Sequence, residues 1–307
     1  MPNLFDAYEE IVEEREKNSN LLPMLIERLH EVKEIRPPGP SDYMSISKAP
    51  TWCPRNHVIA YRLGMNMVNE FNAQSRWYMD RGHGMHHVFQ ELWLGPMGLI
   101  KGGWACSECG HRHGVSESGE ALVTTAVLLP EECESCGKPP GKWRRWKYLE
   151  PRVIDEELLL RGQVDGIFFH PPNKDDILDL KTITESGMKQ VKRNGPRKTH
   201  VQQLHWYLGA SGYRRGRLIY MNIGEKRIES TMAEFQVEFD PDLHFKEQEK
   251  FRGLRQALQE KDRPLPRCPY DRALPWGPCP CSEAELVWDR YGPGPLPPKH
   301  RSYDPHP

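Results

Sequence analysis

The 307-residue chain has no apolar stretch long enough to cross a bilayer. Its longest apolar runs, such as residues 121–129, are short and polar against the roughly 20 apolar residues that a spanning helix needs. Residues 1–14 lack the apolar core and cleavage site of a secretory signal and are instead acidic and amphipathic. Membrane insertion and export are therefore not expected, and the cytoplasm is the expected compartment. A strong charge of either sign is also missing: 42 basic against 43 acidic residues leave a net charge of −1. That argues against a protein that coats nucleic acid indiscriminately. It does not exclude a nuclease, whose metal-binding carboxylates cancel basic patches in the sum. There is no internal repeat, and no cysteine is left over once the eight are grouped in fours. Charged residues at 28 % and hydrophobic ones at 37 % describe a globular chain, long enough for one large domain or two ordinary ones.

What is present changes in texture along the chain. Residues 4–34 read as two helices, broken at 18–20 and stopped by Pro37-Pro38-Gly39-Pro40. A loop over 41–52 delivers Cys53, and Pro54 suits the first turn of a helix running towards Asn69. A further helix is expected over 79–94, ended by Gly95-Pro96. Residues 99–149 hold two Cys-x-x-Cys-Gly knuckles and a basic–aromatic run at 142–147, and read as an insertion. Strands at 164–169 and 177–180, a helix at 199–210, strands at 217–223 and 235–239 and a helix at 243–261 follow. From Arg263 the chain is rich in proline, with a tail over 292–307. The expected organisation is N-terminal helices (1–50), a discontinuous core (51–98 and 150–262), an insertion (99–149) and a C-terminal segment with a tail (263–307).

Four short motifs carry chemistry. Gly82-x-x-x-His86 sits at the start of a helix, and Gly162-x-x-Asp165 places an acid at a strand. Asp179-Leu180-Lys181 ends an apolar strand, and Gln203-x-x-x-Tyr207 lies on a helix. Phosphodiester hydrolysis needs a divalent cation to polarise the phosphoryl oxygen and to lower the pKa of a water. Mg²⁺ and Mn²⁺ take carboxylates and carbonyls, and Mn²⁺ accepts imidazole more readily. Asp165 and Asp179, the backbone carbonyl of Leu180, and His86 are the candidate ligands. Strand alternation sends Asp179 and Lys181 to one face, so the Lys181 ammonium can orient water and offset phosphate charge. Gln203 and Tyr207, one helical turn apart, would support Lys181 or hold the substrate backbone. Each motif alone has a plainer reading: a strand-end ion pair, a packed histidine, an ordinary helix face. The four in this order, with the second acid 14 residues after the first, outweigh those readings.

Two further sets stand beside them. Cys106-x-x-Cys109 and Cys133-x-x-Cys136, each followed by glycine, form a strong zinc signature with a structural role. Trp143, Arg144, Arg145 and Trp146 nearby could grip DNA, or the tryptophans could pack the ribbon onto the core. Lys189, Lys192, Arg193, Arg197 and Lys198 read as a phosphate-binding loop or as solvated surface.

The order of the four motifs resembles the RecB-like branch of the PD-(D/E)XK nucleases, including AddB-type and CRISPR-associated iron–sulfur exonucleases, from Cys53 to Cys281. The resemblance implies an α/β fold, with a central mixed sheet flanked by helices. It implies a Mg²⁺ or Mn²⁺ centre held by His86, Asp165 and Asp179, a catalytic Lys181, and supporting Gln203 and Tyr207. Its activity would be cutting of DNA, often from an end, on single strands or duplex ends, beside recombination or repair proteins. Cys53 upstream with Cys268, Cys279 and Cys281 downstream is similar to the [4Fe–4S] staple of those exonucleases. The spacing Cys268-x10-Cys279-x-Cys281 departs from theirs, and leaves zinc as the alternative. A non-catalytic DNA-binding adaptor and a restriction-type endonuclease are the rival expectations.

Overall fold

A computed structural model describes residues 43–50, 53–63, 66–67, 73–139, 146–170, 174–222, 231–260, 265–266, 268–269, 273–274, 277–278, 281 and 302–303. In chain order the labelled elements begin with β1 (Met44–Ser45), α1 (Pro54–Leu63), β2 (Asn66–Met67) and α2 (Ala73–His87), and α2 continues as a π-helical turn at Val88–Leu94. Next come β3 (Ile100–Lys101), β4 (Gly103–Cys106), β5 (Arg112–His113), β6 (Trp146–Leu149), β7 (Arg152–Asp155), β8 (Leu160–Gln163), β9 (Gly166–His170) and β10 (Lys174–Ile183). Then follow α3 (Glu185–Asn194), α4 (Lys198–Ser211), β11 (Arg215–Asn222), β12 (Met232–Glu238), α5 (Pro241–Gln248) and α6 (Leu254–Gln259).

The central sheet runs β12-β11-β10-β9-β3. Its β10–β11 pair is parallel and its other pairs are antiparallel, so it is mixed. A parallel pair needs a long crossover, and α3 and α4 supply it between β10 and β11. The run Ile177-Leu178-Asp179-Leu180 is apolar on both sides because β10 is covered on both faces. Ile177 joins a core with Leu204, Tyr207 and Leu208 of α4 and Leu218 and Tyr220 of β11. Leu178 and Leu180 join a second core with Phe89, Ile100 and the ribbon residues Trp104, Trp146 and Tyr148. The fold is thus α/β, with the sheet buried between helices and the cysteine-bearing ribbon. Two smaller sheets, β1-β8-β7 and β5-β4-β6, flank it.

The observed elements differ from the sequence expectations in defined ways. The helix from Pro54 ends at Leu63 rather than near Asn69. The helix expected over 79–94 begins at Ala73 and changes to π geometry at Val88. The single helix expected over 243–261 is three pieces, because a 3-10 turn at Glu249–Phe251 and Gly253 at φ 79° interrupt it. Ile100 and Lys101, on the insertion side of the expected boundary, pair with β9 in the central sheet. Met44–Ser45, within the first expected segment, pairs with β8. The helices expected over 4–34 and the tail over 292–301 and 304–307 lie outside the described residues. Among the described residues, no helix is long and apolar enough to cross a membrane.

Candidate metal centre and thiol sites

The site begins where β10 outlasts its neighbour. Pairing with β9 stops at Leu178–Gly166, whereas pairing with β11 runs on to Ile183–Asn222. Beyond Gly166 the edge of β10 would be left without ladder partners, and the Asp165 side chain takes over: its Oδ2 accepts the Leu180 N–H. A strand residue presents its N–H and C=O at the same edge, so the Leu180 carbonyl opens on the same bay. Asp179 and Lys181 lie side by side, as strand alternation requires, with Lys181 Nζ donating to Asp179 Oδ1 at 2.9 Å.

Helix α2 brings in the imidazole. A Cβ at Gly82 would come within 3.1 Å of Thr182 Oγ1, so glycine lets the helix approach β10 closely. One turn on, His86 Nδ1 lies 3.2 Å from Asp165 Oδ1 and 3.8 Å from Glu150 Oε1. Ligand atoms of His86, Glu150 and Asp165 all lie within 4.8 Å of one another, a grouping that could hold a cation. Glu150 was not foreseen from the sequence. It follows the last residue of β6, beyond the insertion, and no spacing motif joins it to the other acids. Gln90 was also missed: it sits one turn after His86 and donates to Glu150 Oε1 at 3.0 Å and to the Asp165 carbonyl at 2.7 Å. Its position four residues beyond the motif histidine was the available signal.

Helix α4 closes the other side. Gln203 Oε1 accepts from Lys181 Nζ at 3.1 Å, and Gln203 Nε2 donates to the Tyr207 hydroxyl at 3.5 Å. A Cβ at Gly162 would lie 2.8 Å from the Tyr207 ring, which explains the first residue of that motif. His86, Glu150, Asp165, Asp179, Lys181 and Gln203 all line one chamber of about 530 Å³.

Burial and crowded charge set the protonation of these groups. Burial pushes the Asp179 carboxyl up to about 6; Lys181 opposes this and Asp165 adds to it. Burial works against a charged His86, but the Asp165 and Glu150 carboxylates prevail and hold its pKa at about 10. Asp179 Oδ2 is buried with no hydrogen-bond partner among the described residues. An unpartnered buried carboxylate oxygen beside a cluster of anionic and imidazole donors fits a divalent cation.

Comparison with known proteins settles the family. Residues 47–282 match the family model described as the PD-(D/E)XK nuclease superfamily. The chain belongs to that superfamily. An alkaline exonuclease from Laribacter hongkongensis is similar at 11 % identity and a TM-score of 0.44, over 82 % of this chain and 94 % of that one. The same exonuclease in complex with dAMP gives 11 % and 0.42, over 81 % and 93 %. A phage-related exonuclease from Haemophilus somnus gives 13 % and 0.25, over 36 % and 58 %. No curated protein matches.

In this PD-(D/E)XK nuclease the ribbon cysteines come together. Cys106 Sγ lies 3.8 Å from Cys136 Sγ, and Cys109 Sγ lies 3.6 Å from Cys133 Sγ. The two knuckles repeat one design: Gly110 N–H donates to the Cys106 carbonyl at 2.8 Å and Gly137 N–H to that of Cys133 at 2.7 Å. Both glycines take positive φ, 76° and 64°, where a side chain would be strained. Burial would raise the Cys106 thiol, but backbone N–H groups of Cys109 and Glu108 bring it down to about 7; at Cys136 the Lys138 N–H works against burial and the neighbouring thiols, which push it up to about 11. The second thiol set is buried and gathered too. Cys53, Cys268 and Cys281 have sulfurs within 4.8 Å, and Cys53 and Cys268 are 3.8 Å apart. Cys279 lies outside the described residues.

The expected DNA-binding residues divide. Trp143, Arg144 and Arg145 lie outside the described residues. Trp146 is buried in the ribbon against His113, at 4.9 Å between ring centres, which is its packing role. Lys189, Lys192, Arg193, Arg197 and Lys198 are exposed; Lys189, Lys192 and Arg193 lie on α3 and Lys198 opens α4, so only Arg197 sits in the short 195–197 connection. Lys189 pairs with Glu185. None of the five lines the chamber.

Proposed function

We propose that this nuclease hydrolyses DNA phosphodiester bonds with Mg²⁺ or Mn²⁺, as an exonuclease on single strands or duplex ends in recombination, repair or phage DNA processing. The observation that carries the reading is the convergence of His86, Glu150, Asp165 and Asp179 on one chamber with Lys181 beside them. When bound, the cation would polarise the phosphoryl oxygen and make a coordinated water more acidic. His86, Asp165, Asp179 and the Leu180 carbonyl are its proposed ligands, with Glu150 a further carboxylate beside His86. Lys181 supplies a fixed positive charge where the scissile phosphate would sit, and it orients the attacking water. Gln203 holds the Lys181 ammonium, and Tyr207 holds Gln203. Burial keeps the Tyr207 hydroxyl protonated, so it serves as a hydrogen-bonding group and not as a base.

Incubation of purified protein with Mn²⁺ and end-labelled DNA tests the reading. Progressive shortening from an end that needs the metal is expected. Discrete cuts in closed circular DNA would replace an exonuclease with a restriction-type endonuclease. Binding without cleavage under every metal tried would leave a DNA-binding adaptor.

Zinc is proposed at Cys106, Cys109, Cys133 and Cys136, where it orders the ribbon. A [4Fe–4S] cluster is proposed at Cys53, Cys268, Cys279 and Cys281 from their order around the nuclease motifs. A specific observation favours a second reading there: the 3.8 Å between Cys53 and Cys268. Tetrahedral zinc with Zn–S bonds of about 2.3 Å sets sulfurs about that far apart. Iron and zinc content of anaerobically purified protein separates the two.

A further inference from the structure

The metal chamber does not end at Glu150. A second cavity of about 450 Å³ opens beside it, and the two share Glu150, Arg152 and Gln163 as lining. One wall of this second cavity comes from the inserted segment, at Arg112, Gly119 and Glu120; the other comes from the core, at Gln90. The insertion therefore encloses space that begins at the candidate cation ligands. Cations mark the whole route: Arg161 on the metal chamber, Arg152 at the junction and Arg112 at the far wall. At the junction Arg152 reaches across to Glu120, tying core to insertion. Arg112 is exposed and donates one N–H to the Gly119 carbonyl at 3.1 Å; a guanidinium carries five such donors.

We propose that this cleft is a track for a single DNA strand, in which Arg161, Arg152 and Arg112 take successive backbone phosphates on one side of the scissile bond. The proposal deepens the nuclease reading and rests on it. Its chemistry follows from the lining: guanidinium groups spaced along a path suit a polyanion. The path starts at the candidate metal chamber, with which it shares Glu150, Arg152 and Gln163. Glu120 competes with phosphate for Arg152, so an arriving strand would displace an ion pair already present.

The test uses the full chain with Ca²⁺ in place of the catalytic ion, and fluorescent oligothymidylates of increasing length. Arg112→Gln is expected to weaken binding by a factor that grows with length, reaching about tenfold for the longest. It should also make log K less steep in log salt by about 0.7, the value for one lost phosphate contact on a single strand. Glu120→Gln should shift affinity the other way. Arg112→Lys keeps the charge but not the fork that holds Gly119, and should restore most of the affinity. Loss equal at all lengths, a lysine variant as weak as the glutamine one, or equal binding of blunt duplex would overturn the track. Zinc content and melting temperature of each variant report whether the ribbon stays folded, and the lysine comparison stands even where glutamine loosens it. Should wild-type protein with Mn²⁺ fail to shorten any strand, the nuclease reading falls. Should it cut while Arg112→Gln binds every length normally, only the track falls.

Discussion

The ribbon thiols and the carboxylate centre bring together comparable groups by opposite means. Each half of the ribbon site is written in five consecutive residues, Cys-x-x-Cys-Gly, and the backbone bonds of one knuckle are repeated in the other. The carboxylate centre draws on α2, the end of β6, the residue before β9, and β10. The first can form wherever a hairpin brings two knuckles near. The second exists only if the central sheet and the helix that carries His86 are both in place. A local site depends on its ion for its own order, whereas a scattered site depends on the fold and holds its ion as a guest.

That contrast can be broken most sharply at Asp179 and Lys181. Asp179→Asn and Lys181→Ala are expected to cut hydrolysis by about 10³-fold, the upper range for removing an aimed charge from a preorganised site. Their melting temperatures should stay within a few degrees of wild type, because the fold precedes the site. A large loss of stability in both would erase the distinction.

The ribbon should behave in the reverse order. Cys109→Ser should remove the proposed zinc and, with it, about 10 kcal/mol of binding that would order the segment. Limited proteolysis should then cut between 107 and 139 while Mn²⁺ still binds the core. Loss of both metals together would show that the two sites are not independent.

Glu150 joins the two regions, since it directly follows β6 of the ribbon sheet and its carboxylate belongs to the candidate centre. Glu150→Gln should weaken Mn²⁺ by about 10- to 100-fold, as loss of a partner close to the ligands does. Calorimetry of Mn²⁺ binding reads this directly.

Proton release sharpens the picture further. With His86 titrating at about 10 and Asp179 at about 6, the metal-free protein at pH 8 carries the His86 proton and not the Asp179 one. A cation that takes His86 must displace that proton, so affinity rises with pH towards 10 and about one proton leaves per ion bound. Below pH 6 a second proton competes at Asp179 and affinity falls more steeply. Calorimetry in buffers of different ionisation enthalpy counts the protons, and His86→Ala should release none at pH 8. The smallest effect is expected at Gly82→Ala. The added methyl meets Thr182 at 3.1 Å, and a shift of a few tenths of an ångström in α2 should lower activity several-fold with Mn²⁺ still bound.

The same contrast governs what the sequence disclosed. The ribbon cysteines were legible because their spacing is itself the structure. Asp165, Asp179, Lys181, Gln203 and Tyr207 were legible as motifs, and they do line one chamber. Glu150 was not, since only the tertiary fold brings the end of a ribbon strand to the helix that carries His86; Gln90 was overlooked although its spacing from His86 could have shown it. Single strands could be read from apolar runs such as that of β10, whereas the mixed sheet was an expectation of the family resemblance, which the pairing of β10 with β11 and β9 bears out. The break at Gly253 could not, because the apolar periodicity continues through it with Leu254, Ala257 and Leu258, all buried.

The Asp165 carboxylate holds the Leu180 amide at the point where β9 gives out. One side chain thus serves as both a fastening of the architecture and an arm of the reactive pocket. A cation drawing on its other oxygen would pull on that seam, so the tightness of the sheet at residue 180 becomes a gauge of ion occupancy. Amide hydrogen exchange at that single position would report loading without any substrate being present.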